Sequence, residues 1–253
     1  MAITTPHTAR DRSMAVTANR VVYWLSRHWL FVLSVLVGVY VGLPWLAPIF
    51  MKLGWTGAAN VIYLFYSTQC HQLPQRSFFL FGPKATYSLA DIQAAWANTS
   101  NPVVLRQFIG SEAMGWKVAW SDRMVSMCSA LLPAGLAFAL LRRRLQPLSV
   151  WGFVALILPM GIDGGTHLFS DLAGIGNGFR DSNAWLAALT GNAFPAGFYA
   201  GDALGSFNSW MRLLTGILFA IGCVWLAYPY LERAFSETSE RIEAKFNRAG
   251  VAL

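Results

Sequence analysis

The stretch DRMVSMCSALLPAGLAFALLRRR, Asp122–Arg144, decides the fold. It opens on a charged pair, Asp122 and Arg123, runs apolar from Met124 to Leu141, and stops at Arg142, Arg143 and Arg144. About 18 apolar residues is close to the least that spans a bilayer as a helix. Clustered Arg beside a span stays on the cytoplasmic side, so Arg142–Arg144 are placed inside and the Asp122 end outside. An ionised pair at the lip of a span is costly to bury and marks a candidate site.

The composition agrees with a membrane chain. Hydrophobic residues make up 55% and charged residues 12% of the sequence, against about 25% charged in soluble domains. The formal charge is +7. The basic residues lie beside apolar runs, which reads as topology and headgroup attraction. They form no basic stripe with interleaved aromatics, so a nucleic-acid partner is not expected. Three cysteines, Cys70, Cys128 and Cys223, give no disulfide framework.

The expected architecture is all-α, a polytopic membrane bundle of four spans near 29–50, 122–141, 148–167 and 210–230; five spans is the alternative. Residues 1–20 read as a disordered cytoplasmic leader without a cleavable signal. Residues 21–235 read as one membrane domain and 236–253 as a solvated cytoplasmic tail. Pro44 and Pro48 should kink or end the first span near the outer surface. The apolar run near 56–72 is short for a crossing. If it crossed, Arg142–Arg144 and the basic C-terminal tail would face outward, so a re-entrant or interfacial outer helix is preferred. Between Gly82 and Ser121, Ser88-Leu89-Ala90-Asp91 signals a capped helix start, and Val103–Ile109 a second short helix. The protein is therefore expected in the plasma (inner) membrane with both termini cytoplasmic.

On this topology the unusual polar residues gather at the outer face: Cys70, His71, Arg76, Asp122, Arg123, Asp163, His167, Asp202, Asn208 and Arg212. Asp163 and His167 are spaced i, i+4, on one helix face. Imidazole plus carboxylate suits a divalent metal such as zinc, with His71, Asp163 and His167 the candidate ligands. The competing reading is an Asp–His hydrogen bond that fixes a helix end. Adjacent Cys70 and His71 would point about 100° apart on a helix, which weakens them as a metal pair. Arg76, Arg123, Arg180 and Arg212 could instead receive a phosphate, because guanidinium forks match its oxygens. A buried ion network and headgroup anchoring are the structural alternatives.

Four motifs, Cys70-His71-Gln72-x-Pro74-x-Arg76-Ser77-Phe78, Asp122-Arg123 at a helix head, Pro159-x-x-x-Asp163-Gly164-x-Thr166 and Arg212-x-x-Thr215-Gly216, carry a resemblance. The chain resembles, from about Val61 to Tyr230, a family of predicted prokaryotic membrane proteins catalogued as domain of unknown function 2085. The resemblance implies a membrane protein without an assigned activity. The family pattern has Cys-x-x-Cys around the arginine where this chain has Ser121-Asp122-Arg123-Met124, and Gln where it has His167. That departure removes two thiolate ligands and counts against a cysteine-rich metal site.

Three functions stand as expectations. The first is a membrane protein with a polar outer pocket that binds a metal or an anion, its ligand a lipid headgroup or small polar solute. The second is a membrane enzyme acting on a lipid-linked or phosphate-bearing substrate, with Asp163 or His71 as base. The third is an accessory subunit that meets other membrane proteins through its apolar faces and eleven tryptophans.

Overall fold

The computed structural model describes residues 9–142 and 144–253. Residues 1–8 of the expected leader, and Arg143 of the arginine run, lie outside the described residues. Four described helices are long and apolar enough to cross a membrane, and they set the architecture. They are α1 (Ala9–Lys52), the pair α5 (Asp122–Ser129) and α6 (Leu131–Leu141), α7 (Val150–Asp171) and α11 (Phe207–Ala249). The remaining elements cap one end of the bundle: α2 (Thr56–Ser67), β1 (Ser77–Leu80), α3 (Leu89–Ala95), α4 (Pro102–Leu105), β2 (Gly110–Ser111), β3 (Gly115–Ser121), α8 (Phe179–Ser182), α9 (Ala184–Leu189) and α10 (Ala196–Tyr199). The chain is an all-α helical membrane protein with a small sheet in its cap. Large apolar side chains stay exposed along the spans, among them Phe31, Leu36, Leu140, Trp151 and Ile162. That is tolerable where the surrounding solvent is hydrocarbon.

Prolines lie inside α1, α7 and α11 without ending them, and Pro44 and Pro48 do not end α1 as expected. α1 runs through Pro44 and Pro48 to Lys52, and its backbone departs from helical geometry at His28 instead. Pro44 has no N–H to offer the Tyr40 carbonyl one turn below. The Tyr66 hydroxyl donates to that carbonyl at 2.7 Å. In α11 Pro229 leaves the Trp225 carbonyl free in the same way, and the Leu148 N–H reaches it at 3.3 Å. Neighbouring segments thus satisfy the acceptors that the prolines leave open, as hydrocarbon requires.

α2 folds back along α1. Trp55 N–H donates to the Phe50 carbonyl at 2.8 Å, and further on Tyr66 stands beside Tyr40 with ring centroids 5.7 Å apart. Its 12 residues span about 18 Å, too short for a core of about 30 Å. Val61, Leu64 and Phe65 on its outer side are exposed. By length it falls outside the four helices long enough to cross a membrane.

The second short helix expected over Val103–Ile109 is confined to Pro102–Leu105. Beyond it β2 and β3 join β1 in a three-stranded antiparallel sheet of order β1-β3-β2, with Ser77 opposite Ser121 and Leu80 opposite Trp116. Nearly all of β3 is buried, so its sequence shows no alternation that would betray a strand. Trp120 packs edge-on against Tyr40 and Tyr66 at 5.2 and 5.1 Å. β3 leads directly into α5 and so fixes the position of Asp122. The capped start at Ser88 is present: Ser88 Oγ accepts from Asp91 N and the Asp91 carboxylate accepts from Ser88 N.

At the opposite end the chain is helical from Ala9, where a disordered leader was expected, and the tail, expected as a solvated helix, continues α11. Ser239, Ile242 and Phe246 are buried; the i, i+3, i+7 spacing makes one stripe of a packed helix face. Arg20 donates to the Ala252 carbonyl at 2.7 Å. Trp29 Nε1 donates to Glu232 at 2.9 Å, and Arg142 stands 3.6 Å from the same carboxylate. The first half of α1, the last half of α11 and the end of α6 thus meet at one end of the bundle.

One buried cation belongs to the cap alone. Lys117 on β3 is fully buried and donates to the Gln72 and Arg106 carbonyls at 2.8 and 2.9 Å. Burial lowers its pKa from 10.5 to about 7, and a neutral amine has two N–H groups for those two carbonyls. The folded pKa lies below the unfolded one, so folding releases a proton between pH 7 and 10.5. Stability should therefore rise with pH from about 7 to 9, by on the order of 1 kcal/mol per unit at most. Denaturation curves across that range check this; a slope that persists unchanged in Lys117→Met would assign it to other groups.

Candidate functional site

The bundle end away from the termini holds two connected sets of buried ions. Asp122 and Arg123 enter from the first turn of α5. Asp163, His167 and Asp171 lie along one side of α7, Arg212 on α11, Arg180 on α8, and Asp202 in the loop before α11. The segment Asp122–Leu141 is 20 residues long, about 30 Å at helical rise, the depth of a bilayer core. The ions therefore sit one membrane thickness away from Arg142.

The first set alternates in sign. Arg76 grips Asp171 with two parallel bonds of 2.7 and 2.8 Å and donates Nε to Asp202 at 2.7 Å. Asp202 also accepts from Arg212 Nη1 at 2.6 Å, and Arg212 Nε donates to Asp122 at 2.8 and 2.9 Å. Burial would raise the Asp202 carboxyl, but the guanidiniums of Arg76 and Arg212 outweigh it and hold it below the usual carboxylate range. The second set centres on Asp163, which accepts from Arg123 Nη2 at 2.6 Å and Arg180 Nη2 at 2.7 Å. Arg180 also donates to Asn208 Oδ1 at 3.0 Å and Thr166 Oγ1 at 2.9 Å. Asn208 donates back to the Arg180 and Gly201 carbonyls. Four arginines thus face four aspartates, so the network is neutral as a whole.

Beside this network lies a cavity of about 260 Å³. It is lined by Arg76, Arg123 and Arg212, with His71, His167, Gln69, Cys70, Ser121 and the single carboxylate of Asp171; Met124, Gly164 and Leu168 complete the wall. Asp122, Asp163 and Asp202 bind the arginines but do not line the cavity. The guanidiniums therefore stand between the cavity and three of the four carboxylates.

Hydrogen-bond partners fix the histidine tautomers. His167 Nε2 is 3.2 Å from Arg180 Nη2. A guanidinium only donates, so Nε2 accepts and the proton sits on Nδ1. His167 Nδ1 is buried without a partner, and so is Arg123 Nε. The other unpartnered buried side-chain atoms, on Gln75, Trp120 and Asn183, belong to residues that do not line this cavity. His71 accepts from Leu73 N–H through Nδ1 at 3.2 Å. It lines the cavity; desolvation by the surrounding groups, with Arg76 close by, lowers its pKa to about 4. At neutral pH it is uncharged with its proton on Nε2.

The metal reading finds no support. Among the described residues no three His, Cys, Asp or Glu side chains group as a metal site. His167 Nε2 is 3.9 Å from Asp163, and both Asp163 oxygens already accept from arginines. Guanidiniums surround the imidazoles and would repel a cation. Cys70 makes ordinary contacts instead, with Ser121 Oγ and the Gln72 N–H, each at 3.4 Å. All three cysteines are free.

Every residue of the expected outer set is at this end, and Asp122, Arg123, Asp163, His167, Asp202, Asn208, Arg212 and Arg76 fall within the two ion sets or bond to them. Cys70 and His71 line the cavity. The sequence reading missed Asp171, and left Arg180 out of the pocket. Asp171 had a signal: eight residues after Asp163, it repeats the i, i+4 spacing that singled out His167.

Comparison with known proteins finds a match to part of this chain. Residues 112–201 match the family model described as "Predicted membrane protein (DUF2085)". The DUF2085 match holds Asp122, Arg123, Asp163, His167, Asp171 and Arg180. It excludes Arg76 and Arg212, and the motif around Cys70 lies outside it. An uncharacterized protein of Methanocaldococcus jannaschii, MJ1492, is 40% identical over 65 residues, 24% of this chain and 41% of that protein. The chain thus covers under half the length of that relative. No solved structure matches.

Proposed function

We propose that this membrane protein binds an oxyanion, of the phosphate or carboxylate class, in the cavity beside Arg123 and His167. The observation that carries the reading is the pair of buried, unpartnered N–H donors on cavity-lining residues, Arg123 Nε and His167 Nδ1. A buried donor without an acceptor costs on the order of 1–3 kcal/mol; an oxyanion recovers that cost twice. The His71 Nε2–H adds a third donor, and the three guanidiniums supply the charge. The cell setting is the prokaryotic plasma membrane with both termini in the cytoplasm. That orientation rests on Arg27, Arg142 and Arg233 collecting at one end of the bundle. The pocket then faces the outer leaflet, where a lipid headgroup or a free anion reaches it.

Two other readings gain less. An enzyme that uses Asp163 as base would need a carboxylate able to take a proton, and this one is committed to two guanidiniums. An accessory-subunit reading rests on the exposed apolar faces, which a bilayer already accounts for.

Titration calorimetry of the purified protein with inorganic phosphate, and separately with lysophosphatidate, tests the proposal. Arg123→Gln keeps Asp163 paired with Arg180, so it should fold. Its affinity for whichever anion binds should fall at least about tenfold, 1.4 kcal/mol. Saturable binding of lysophosphatidate alone assigns the anion to a lipid; binding of both assigns it to the phosphate group itself. No saturable heat with either, or equal affinity in Arg123→Gln, would sink the reading.

A further inference from the structure

A second cavity lies on the other side of α7, and its chemistry is opposite. α7 and α11 close tightly lower down, where a Cβ on Gly222 would stand 3.2 Å from Leu156 Cβ. Towards the capped end the two helices part and leave a cleft of about 730 Å³, within the usual range of ligand sites. Ile162, Trp185, Phe207 and Met211 give it apolar walls. Its charged groups are Asp163 and Arg180, which neutralise each other at 2.7 Å. The Phe207 ring covers the Arg180 guanidinium at 5.3 Å, which further turns that charge away from the cleft.

We infer that this cleft binds the hydrocarbon chain of a neutral amphiphile, a membrane lipid or lipid product whose polar end is uncharged. Three observations select that occupant. The cleft opens between two helices long and apolar enough to cross a membrane, beside the exposed Ile162 and Trp210, a surface suited to hydrocarbon. Its walls are mostly apolar and offer a hydrocarbon chain far more surface than they offer water hydrogen-bond partners. Its lining carries no net charge, unlike the cavity beside Arg123, so an ionic head would find no counter-charge. Thr166 Oγ1 is already engaged by the Ile162 carbonyl and Arg180; among the lining hydroxyls that leaves Ser182 to suit an ester or alcohol oxygen.

The purified full chain in detergent, labelled with a diazirine-bearing monoacylglycerol and mapped by peptide mass spectrometry, tests this. Adducts on α7 and α11 beside the cleft should saturate and be displaced by excess unlabelled monoolein. Adducts on the lipid-facing side of α1, at Phe31 and Leu36, should rise linearly and resist displacement. Met211→Trp should lower the cleft adducts at least fivefold; Ile162→Trp serves where Met211→Trp is not monodisperse. Cleft adducts that behave like those of α1, or that survive filling of the cleft, would reduce the occupant to annular lipid and overturn the inference. Equal displacement by lysophosphatidate would overturn its neutral-head part. Phosphate binding is read separately, so failure of the anion pocket leaves this result untouched.

Discussion

Arg212→Met is expected to destabilise the protein by about 3–5 kcal/mol, the range for stripping one partner from a buried ion pair. Arg212 and Asp122 are almost wholly buried, and so is Asp202. Arg212 serves two carboxylates, and its Nη2 also donates to the Asp202 carbonyl at 2.7 Å. Removal leaves Asp122 with only the neighbouring Arg123 N–H at 2.8 Å. The expected loss exceeds that of deleting a hydrophobic side chain of similar exposure, because the carboxylate left behind has neither water nor counter-charge. Arg212→Met combined with Asp122→Leu should recover part of the loss, since an apolar pair of like volume can replace an ion pair. Lys84→Ala is the control: its partner Asp91 is 3.2 Å away and both are exposed, so no more than about 0.5 kcal/mol is expected. Equilibrium denaturation in mixed micelles reads all four proteins. A change under 1 kcal/mol in Arg212→Met would show that the network is not what holds α5, α11 and the cap loop together.

The same network shows where sequence reasoning reaches and where it stops. Hydropathy and the arginine run located the spans, because both effects are summed over many residues and depend on no partner. The gathering of acids and imidazoles at one end came from the same sorting. Pairing was not legible. Arg76 and Asp202 are 126 residues apart, and nothing local ties a guanidinium to one carboxylate among four. The sheet was missed for a different reason: Trp116 to Trp120 are buried or nearly so on both faces, which erases the period of two. Lys117 read as an ordinary charge because its partners are carbonyls, which every residue has. The prolines misled because their effect on a helix depends on who takes up the freed carbonyl. In α1 that is Tyr66, a residue on another element. The metal reading finds no support, for an electrostatic reason: Asp163 and His167 are spaced like ligands, but the arginines that surround the set had no place in the motif.

Gly178→Ala should be the other severe substitution, on the order of 2–3 kcal/mol, and it should act on the site rather than on the spans. Gly178 precedes α8 and abuts α7. A Cβ there would stand 2.3 Å from the Ser170 carbonyl oxygen and 2.0 Å from its Oγ. The carbonyl belongs to the α7 backbone and cannot swing aside, so α8 must retreat. α8 carries Arg180, whose N–H donates to Ser170 Oγ at 3.0 Å and whose guanidinium holds Asp163. Retreat breaks both contacts and removes the acceptor relation that fixes the His167 tautomer. Phosphate affinity should therefore fall together with stability, whereas Arg212→Met tests stability first. Gly161→Ala is the matched control on α7, where a Cβ meets nothing within 4 Å; it should be neutral or slightly stabilising, since alanine is the better helix former. Unfolding midpoints and phosphate titrations of the two variants decide the matter. Gly178→Ala with unchanged phosphate affinity would mean that Arg180 does not set the donor geometry of the cavity, and that His167 takes its proton position from elsewhere.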